Sequence, residues 1–199
     1  FQIVIIGFPN SGKSTLLNKL TNTHVRVSDY PFTTKKPEVG IMNYEGGHLQ
    51  LVEIPALVEG ASEKQAEFLS IVSSADGIIM ILGDRADYEK RVLGNELRKA
   101  RIFKPLMVVY KGQDVSKREI FEFFDLIRVF TKEPGEKPVT EKALILKKGA
   151  KVLDAAKDVH KDFARKLKYA RVWGSSRFPG QRVEKNYVLK DGDVIELHI

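Results

Sequence analysis

The residues with the most specific chemistry are Gly7-Phe8-Pro9-Asn10-Ser11-Gly12-Lys13-Ser14, followed by Thr15. A glycine, four intervening residues and then Gly-Lys-Ser is the spacing of a loop that wraps phosphates with backbone N–H groups. Glycine is needed there because the tight turns call for positive φ. In such a loop Lys13 reaches the β and γ phosphates of a nucleoside triphosphate, and the Ser14 hydroxyl holds Mg2+. Chance yields the pattern in roughly 1 of 100 chains of this length. Context argues against chance: a strand must precede the loop and a helix must follow it.

The flanking residues supply both. Residues 3–6 form a continuous, mostly β-branched apolar run, the mark of a buried strand. After the loop, Leu16, Leu17 and Leu20 share one helical face, and that helix points its positive end at the phosphates. Residues 23–37 show no period and read as a loop. Residues 39–44 and 49–54 read as a hairpin across Glu45-Gly46-Gly47. Buried strands follow at 77–82 and 105–110, with helices marked by Phe68, Leu69, Ile71, Val72 and by Val92, Leu93, Leu97. Strands alternating with helices predict an α/β domain over residues 1–125, a mostly parallel sheet with helices on both faces.

From about residue 126 the pattern changes to short strands (127–131, 143–146, 169–173), a helix through Val152, Ala155, Ala156, Val159 and Phe163, and a closing hairpin over 187–199. This predicts a second, small α+β domain of ubiquitin-like (β-grasp) type at 126–199. Charge divides the same way. Residues 1–125 hold 16 Lys+Arg and 16 Asp+Glu, whereas residues 126–199 hold 17 and 10, so the net +7 lies in the second part. A basic module of this kind suits an anionic partner.

There is no cysteine, which excludes disulfides and thiolate metal sites and leads us to expect a cytoplasmic protein. No apolar run approaches the roughly 18–20 residues of a membrane span, and the opening Phe1-Gln2-Ile3-Val4 lacks the basic start of a signal peptide. His24, His48, His160 and His198 are scattered without ligand spacing.

Three further segments resemble a known family. Tyr30-Pro31-Phe32-Thr33-Thr34, then Pro37 and Gly40, is similar to the switch I segment of the Obg and developmentally regulated GTP-binding proteins. Leu51-Val52-Glu53-Ile54-Pro55-Ala56-Leu57-Val58-Glu59-Gly60-Ala61 resembles their switch II. Arg128-Val129-Phe130-Thr131-Lys132, Lys168-Tyr169-Ala170-Arg171-Val172-Trp173-Gly174 and Gln181-Arg182-Val183 look like the TGS domain these P-loop GTPases carry. The resemblance covers nearly the whole chain and is nearest to a pared-down archaeal member of the developmentally regulated group. It implies GTP/GDP as ligand, Mg2+ as cofactor, and slow GTP hydrolysis. It also implies ribosome/RNA association through the basic TGS domain, a regulatory partner protein, and no membrane.

By position, the resemblance makes Thr34 the switch I contact to Mg2+ and the γ phosphate, with Thr33 the alternative in a tandem pair. Lys13 and Thr34 become the catalytic residues, and Ser14, Thr34 and Glu53 the Mg2+ ligands. A capped polar loop is the plainer reading of Thr33-Thr34. Asn10 matches the asparagine of K+-stimulated relatives, although asparagine is also a common turn former.

The chain departs from the family at its sensing residues. The switch II aspartate is Glu53, one methylene longer, and Mg2+ demands near-ideal geometry. The glycine whose N–H meets the γ phosphate is Ala56, and a Cβ there hinders close approach. Leu57, which follows, is no departure: the resemblance implies a hydrophobic residue there, where other GTPases place a water-orienting glutamine. The guanine-reading Asn-Lys-x-Asp is replaced by Tyr110-Lys111-Gly112-Gln113-Asp114: Lys111 aligns, Asp114 is one residue late, and the asparagine is missing. Asp114 equally suits a cap for a helix near 116–124. The strand and loop that usually complete the guanine pocket have no counterpart before residue 126. These departures keep a degenerate scaffold, or an ATP-preferring relative acting as a protein-interaction module, as alternatives.

For the RNA contact the candidates are Arg165, Lys166, Lys168, Arg171, Arg177 and Arg182, where acidic neighbours are sparse. Along 151–168 Asp154, Asp158 and Asp162 interleave with lysines, so half of that helix reads as a solvated face. Tyr169 and Trp173 read as core residues of an apolar strand.

Overall fold

The computed structural model describes residues 1–21, 36–137 and 142–199, and the backbone at 26–27. Two units result: Phe1–Met42 with Leu49–Ile120, and Asn43–His48 with Phe121–Ile199.

The first unit is built on strands too apolar to face water on either side. β1 (Gln2–Gly7) is buried from Ile3 onward and β5 (Gly77–Leu82) throughout. Both lie inside a sheet whose other members are β2 (Arg26–Val27), β3 (Glu38–Tyr44), β4 (Gly47–Glu53) and β6 (Leu106–Tyr110). The order is β2-β3-β4-β1-β5-β6. β1 runs parallel to β4 and β5, and β5 parallel to β6, while β2 is antiparallel to β3. The helices are α1 (Lys13–Leu20), α2 (Ala61–Lys64), α3 (Ala66–Ser74), α4 (Ala86–Lys99) and α5 (Lys117–Phe123), within which the chain leaves the first unit. Val4, Ile6, Val52, Ile54, Ile78 and Met80 pack with α3 and α4 through Phe68, Leu69, Leu93 and Leu97. The alternate residues Ile3, Ile5, Leu51 and Ile79, pointing to the other face, are also fully buried, as is Leu17 of α1. Both faces of the sheet are thus covered, as expected for parallel strands. β6 is the last strand on its side, and its Leu106, Met107 and Val108 are only half-buried.

The second unit has β7 (Leu126–Thr131), β8 (Ala143–Lys147), α6 (Val152–Val159), α7 (Lys161–Lys166), β9 (Tyr169–Trp173), β10 (Gln181–Val183) and β11 (Asp193–His198). Its strand order is β10-β9-β11-β7-β8, with β11 parallel to β7 and antiparallel to β9. This is the β-grasp arrangement. Its core joins Val152, Ala155 and Ala156 of α6 to Val129, Ala170, Val172 and Ile195 of the sheet.

Three sequence expectations change here. Residues 26–27, within the 23–37 stretch read as a loop, pair with β3 as β2. The single helix through Phe163 is broken at His160, whose extended backbone (φ −170°) ends α6 and whose ring accepts the Asp162 N–H at 3.2 Å to start α7. The closing hairpin over 187–199 does not form. Both edges of β11 are taken by β7 and β9, and the 185–187 carbonyls instead accept the N–H groups that begin α6, Leu153 to Lys185 and Val152 to Tyr187, each at 3.0 Å. Among the described residues no helix is long and apolar enough to cross a membrane.

Candidate functional site

The phosphate-type loop occupies the C-terminal end of β1. Gly7 has no room for a side chain: a Cβ would stand 2.7 Å from the Ile81 carbonyl and 2.5 Å from the Ser11 hydroxyl. Asn10 (φ 61°) and Gly12 (φ 98°) take left-handed backbone, which asparagine tolerates and glycine adopts freely. Pro9, Asn10 and Thr15 are exposed. Gly12 caps α1 without a side-chain hydrogen bond, and the first turn carries no acid. Its leading N–H groups and positive dipole end therefore suit an anion.

Lys13 is 7% exposed and its Nζ donates to the Phe8 carbonyl at 3.0 Å. Burial lowers its pKa, opposed by the negative charge of Glu53. Ser14 Oγ donates to Glu53 Oε1 at 2.8 Å, although 39 residues separate them in sequence. Burial raises the Glu53 pKa; the Ser14 hydrogen bond and the Lys13 charge oppose this, and Glu38 adds to it. The second carboxylate oxygen, Oε2, is buried and has no hydrogen-bond partner among the described residues, and the same holds for Ser11 Oγ. Such orphaned groups are costly unless a ligand satisfies them. A hydroxyl and a carboxylate held side by side, with one oxygen unspent, fit a hard cation such as Mg2+, which takes oxygen ligands and one or two carboxylates. Among the described residues no cluster of three or more His, Cys, Asp or Glu competes as a metal site. Thr33 and Thr34 lie outside the described residues.

The segment after Glu53 turns back along β1. Leu57 donates its N–H to the Gly7 carbonyl at 3.2 Å and is fully buried. The Leu57 side chain therefore lies in the core and offers no group to orient water. Gln65 brackets the segment: its Nε2 donates to the Ala56 carbonyl (3.0 Å) and its Oε1 accepts the Val58 N–H (3.3 Å). Glu96 supports it from α4, accepting the Ser62 N–H at 2.7 Å. Burial pushes the Glu96 pKa up, but the hydrogen bonds from Ser62, Lys99 and the Gly60 backbone outweigh it and bring it to about 2. Glu89, also buried, accepts the Gly83 N–H at 2.5 Å. The sequence does hold the signal for both acids: they fall in phase with Val92, Leu93 and Leu97, on the apolar face of α4.

At the end of β6, Gly112 (φ 80°) makes a turn in which Gln113 N–H reaches the Tyr110 carbonyl at 2.9 Å. The turn takes up the extra residue. Lys111 and Asp114 consequently line one cavity of about 330 Å³ together with Ser11, Gly12, Thr15 and Lys19. That is the lower end of small-ligand pocket volumes. Asp114 pairs with Lys19, and Lys111 with Asp84 at 3.1 Å. The helix-cap alternative for Asp114 fails, because Ser116 holds that role: its Oγ accepts the Glu119 N–H at 3.1 Å and Glu119 returns a bond to the Ser116 N–H at 2.7 Å.

In the second unit the six basic candidates are all exposed but do not share one element. Arg165 and Lys166 are on α7, Lys168 precedes β9, Arg171 is on β9, Arg177 is in the loop after it, and Arg182 is on β10. Tyr169 and Trp173 are not core residues. They alternate with buried Ala170 and Val172 and face away from α6, with Arg182 over the Tyr169 ring (4.1 Å) and Lys132 over Trp173 (4.6 Å).

A family model described as 50S ribosome-binding GTPase matches residues 2–111, and one described as TGS domain matches residues 127–199. A GTP-binding protein of Methanocaldococcus jannaschii is 28% identical, with 98% of this chain and 77% of that protein covered. Developmentally-regulated G-protein 3 of Arabidopsis thaliana is 26% identical, with 98% and 81% covered. The first alignment spans 300 positions, so that relative holds segments without counterpart in this 199-residue chain. A crystal structure of a GTP binding protein from Pyrococcus horikoshii OT3 matches over 100% of this chain and 99% of its own, with TM-score 0.52 and 12% identity, a likeness of fold.

Proposed function

The chain belongs to the 50S ribosome-binding GTPase family and carries a TGS domain, and from that premise we propose a GTP-binding regulator with slow GTPase activity that associates with the ribosome or its RNA. The observation that carries the nucleotide half is the Ser14–Glu53 pair, whose buried Glu53 Oε2 has no partner among the described residues, together with buried Lys13. These groups lie at the uncapped start of α1, where phosphates are favoured. Ser14 and Glu53 would hold Mg2+, which when bound neutralises phosphate charge. Lys13 would leave the Phe8 carbonyl for the β and γ phosphates. Asp114, brought into the cavity by the Gly112 turn, would accept from the guanine edge once released from Lys19.

Slow turnover follows from Leu57, which offers no group to orient water, so that hydrolysis rests on charge neutralisation alone. A regulatory partner protein would supply what is missing. Titration of the purified chain with GTP, GDP and ATP, with and without Mg2+ and in KCl against NaCl, tests this reading. Guanine nucleotides should bind more tightly than ATP and require Mg2+. If no nucleotide binds more tightly than about 1 mM, a weak limit for any specific ligand, the proposal fails. Tyr110, standing where an asparagine should order the guanine pocket, favours a second reading as an ATP-preferring relative, and the same titration separates the two. Cosedimentation with ribosomal subunits tests the TGS half.

A further inference from the structure

Resting on the RNA half of the reading above, we propose that the outer face of β9, β10 and β11 binds single-stranded RNA, with Arg171 and Arg182 on its phosphates and a His198–Tyr169–Arg182 stack receiving a base. Strand register brings the arginines together. Arg171 lies directly opposite Arg182 on one side and Glu196 on the other, and Tyr169 opposite His198. Opposed residues of antiparallel strands share a face, and like charges directly opposite are unfavourable. Glu196 does not relieve the arginines. It is buried, and its carboxylate is committed to Lys132 (3.0 Å) and His198 (2.7 Å). Arg171 donates only weakly to the Gly180 carbonyl at 3.5 Å, and Arg182 lies over Tyr169; among the described residues neither guanidinium has an ion-pair partner. Two exposed, rigidly based guanidinia without an acid fit successive phosphates.

The stack points to a base beside those phosphates. Tyr169 and His198 rings lie 4.3 Å apart at 11°, and the Arg182 guanidinium covers the other side of Tyr169 at 4.1 Å. Planar groups already ordered in this way lose little entropy when a base is added to an outer surface. Lys168, exposed at the same corner with its Nζ on the Ile199 carbonyl (3.3 Å), adds a third cation. A duplex cannot use the stack because its bases are already stacked inside, and an acidic peptide would use only the charges. Arg165 and Lys166 belong to a different surface: α7 packs through Phe163 and Ala164 on the Ala170–Val172 side of the sheet.

The test is fluorescence anisotropy of the full chain with labelled oligoadenylate and oligouridylate of about twelve nucleotides, an RNA duplex and polyglutamate, each over a range of KCl. Single strands should bind best, and oligoadenylate more tightly than oligouridylate. Arg171→Ala should weaken binding about tenfold and reduce the salt slope by about 0.7. Arg182→Lys keeps the charge but loses the planar contact, and should cost about tenfold with the salt slope unchanged. The Arg165→Ala/Lys166→Ala double variant should bind like the wild type. The proposal is overturned if Arg171→Ala and Arg182→Lys bind normally while the α7 double variant does not, or if duplex or polyglutamate binds as well as single strands. Cosedimentation with the large ribosomal subunit without any binding of free RNA would also overturn it, leaving the ribosome reading intact. RNA binding without cosedimentation would support it and sink that reading instead.

Discussion

In the first unit the charged groups beside the phosphate-type loop and under the segment after Glu53 are withdrawn from water, although Lys111 and Asp114 at the far end of the cavity are exposed: Lys13 is 7% exposed, one oxygen of Glu53 is buried, and Glu96 is 1% exposed. In the second unit Lys168, Arg171 and Arg182 stand exposed on or beside a strand face. The first arrangement amplifies each charge, because in a low-dielectric setting an ion's partner decides its protonation and its worth. The second depends on number and spacing, since an exposed ion is screened and individually weak. One unit is therefore suited to a single small, highly charged ligand, and the other to an extended polyanion.

The sharpest way to break this contrast is Lys13→Ala. Removing the buried ammonium that would pair with the phosphates should cost about 4 kcal/mol of nucleotide affinity, about a thousandfold, by calorimetric titration. A loss below tenfold would mean that the loop does not hold phosphates. Next comes Glu96→Gln. With a folded pKa of about 2 against an ordinary 4.5, the carboxylate contributes stability above about pH 4.5 that is lost as pH falls toward 2. The variant should lose about 3 kcal/mol at pH 7 and little at pH 2, by urea unfolding across that range. Glu53→Gln should raise the Mg2+ concentration needed for nucleotide binding about tenfold, by losing one anionic ligand. The smallest effect belongs to the second unit. Lys157→Ala breaks an exposed pair with Asp154 (3.2 Å) and should change stability by about 0.3 kcal/mol in the same unfolding assay.

Much of this was legible beforehand because it rests on local rules. The buried strands at Ile3 and Gly77, the loop glycines, and the division of charge at about residue 126 follow from periodicity, backbone freedom and counting. The β-grasp details were less legible. A helix break at His160 and the diversion of residues 185–188 onto the start of α6 reflect competition among strands and helix ends for hydrogen bonds. Tyr169 and Trp173 read as core because alternation gives a period and does not say which side is inside.

The sequence by itself determined the phosphate-loop chemistry, the family, and the place of the excess positive charge, since each is carried by residue types at fixed short spacings. Only the tertiary structure decided that Ser14 meets Glu53, that a positive-φ turn at Gly112 returns Asp114 to the cavity of the loop, that Leu57 is sealed inside, and that Arg171 stands opposite Arg182. Those facts depend on which distant strands become neighbours and in what register, and no local propensity encodes that pairing.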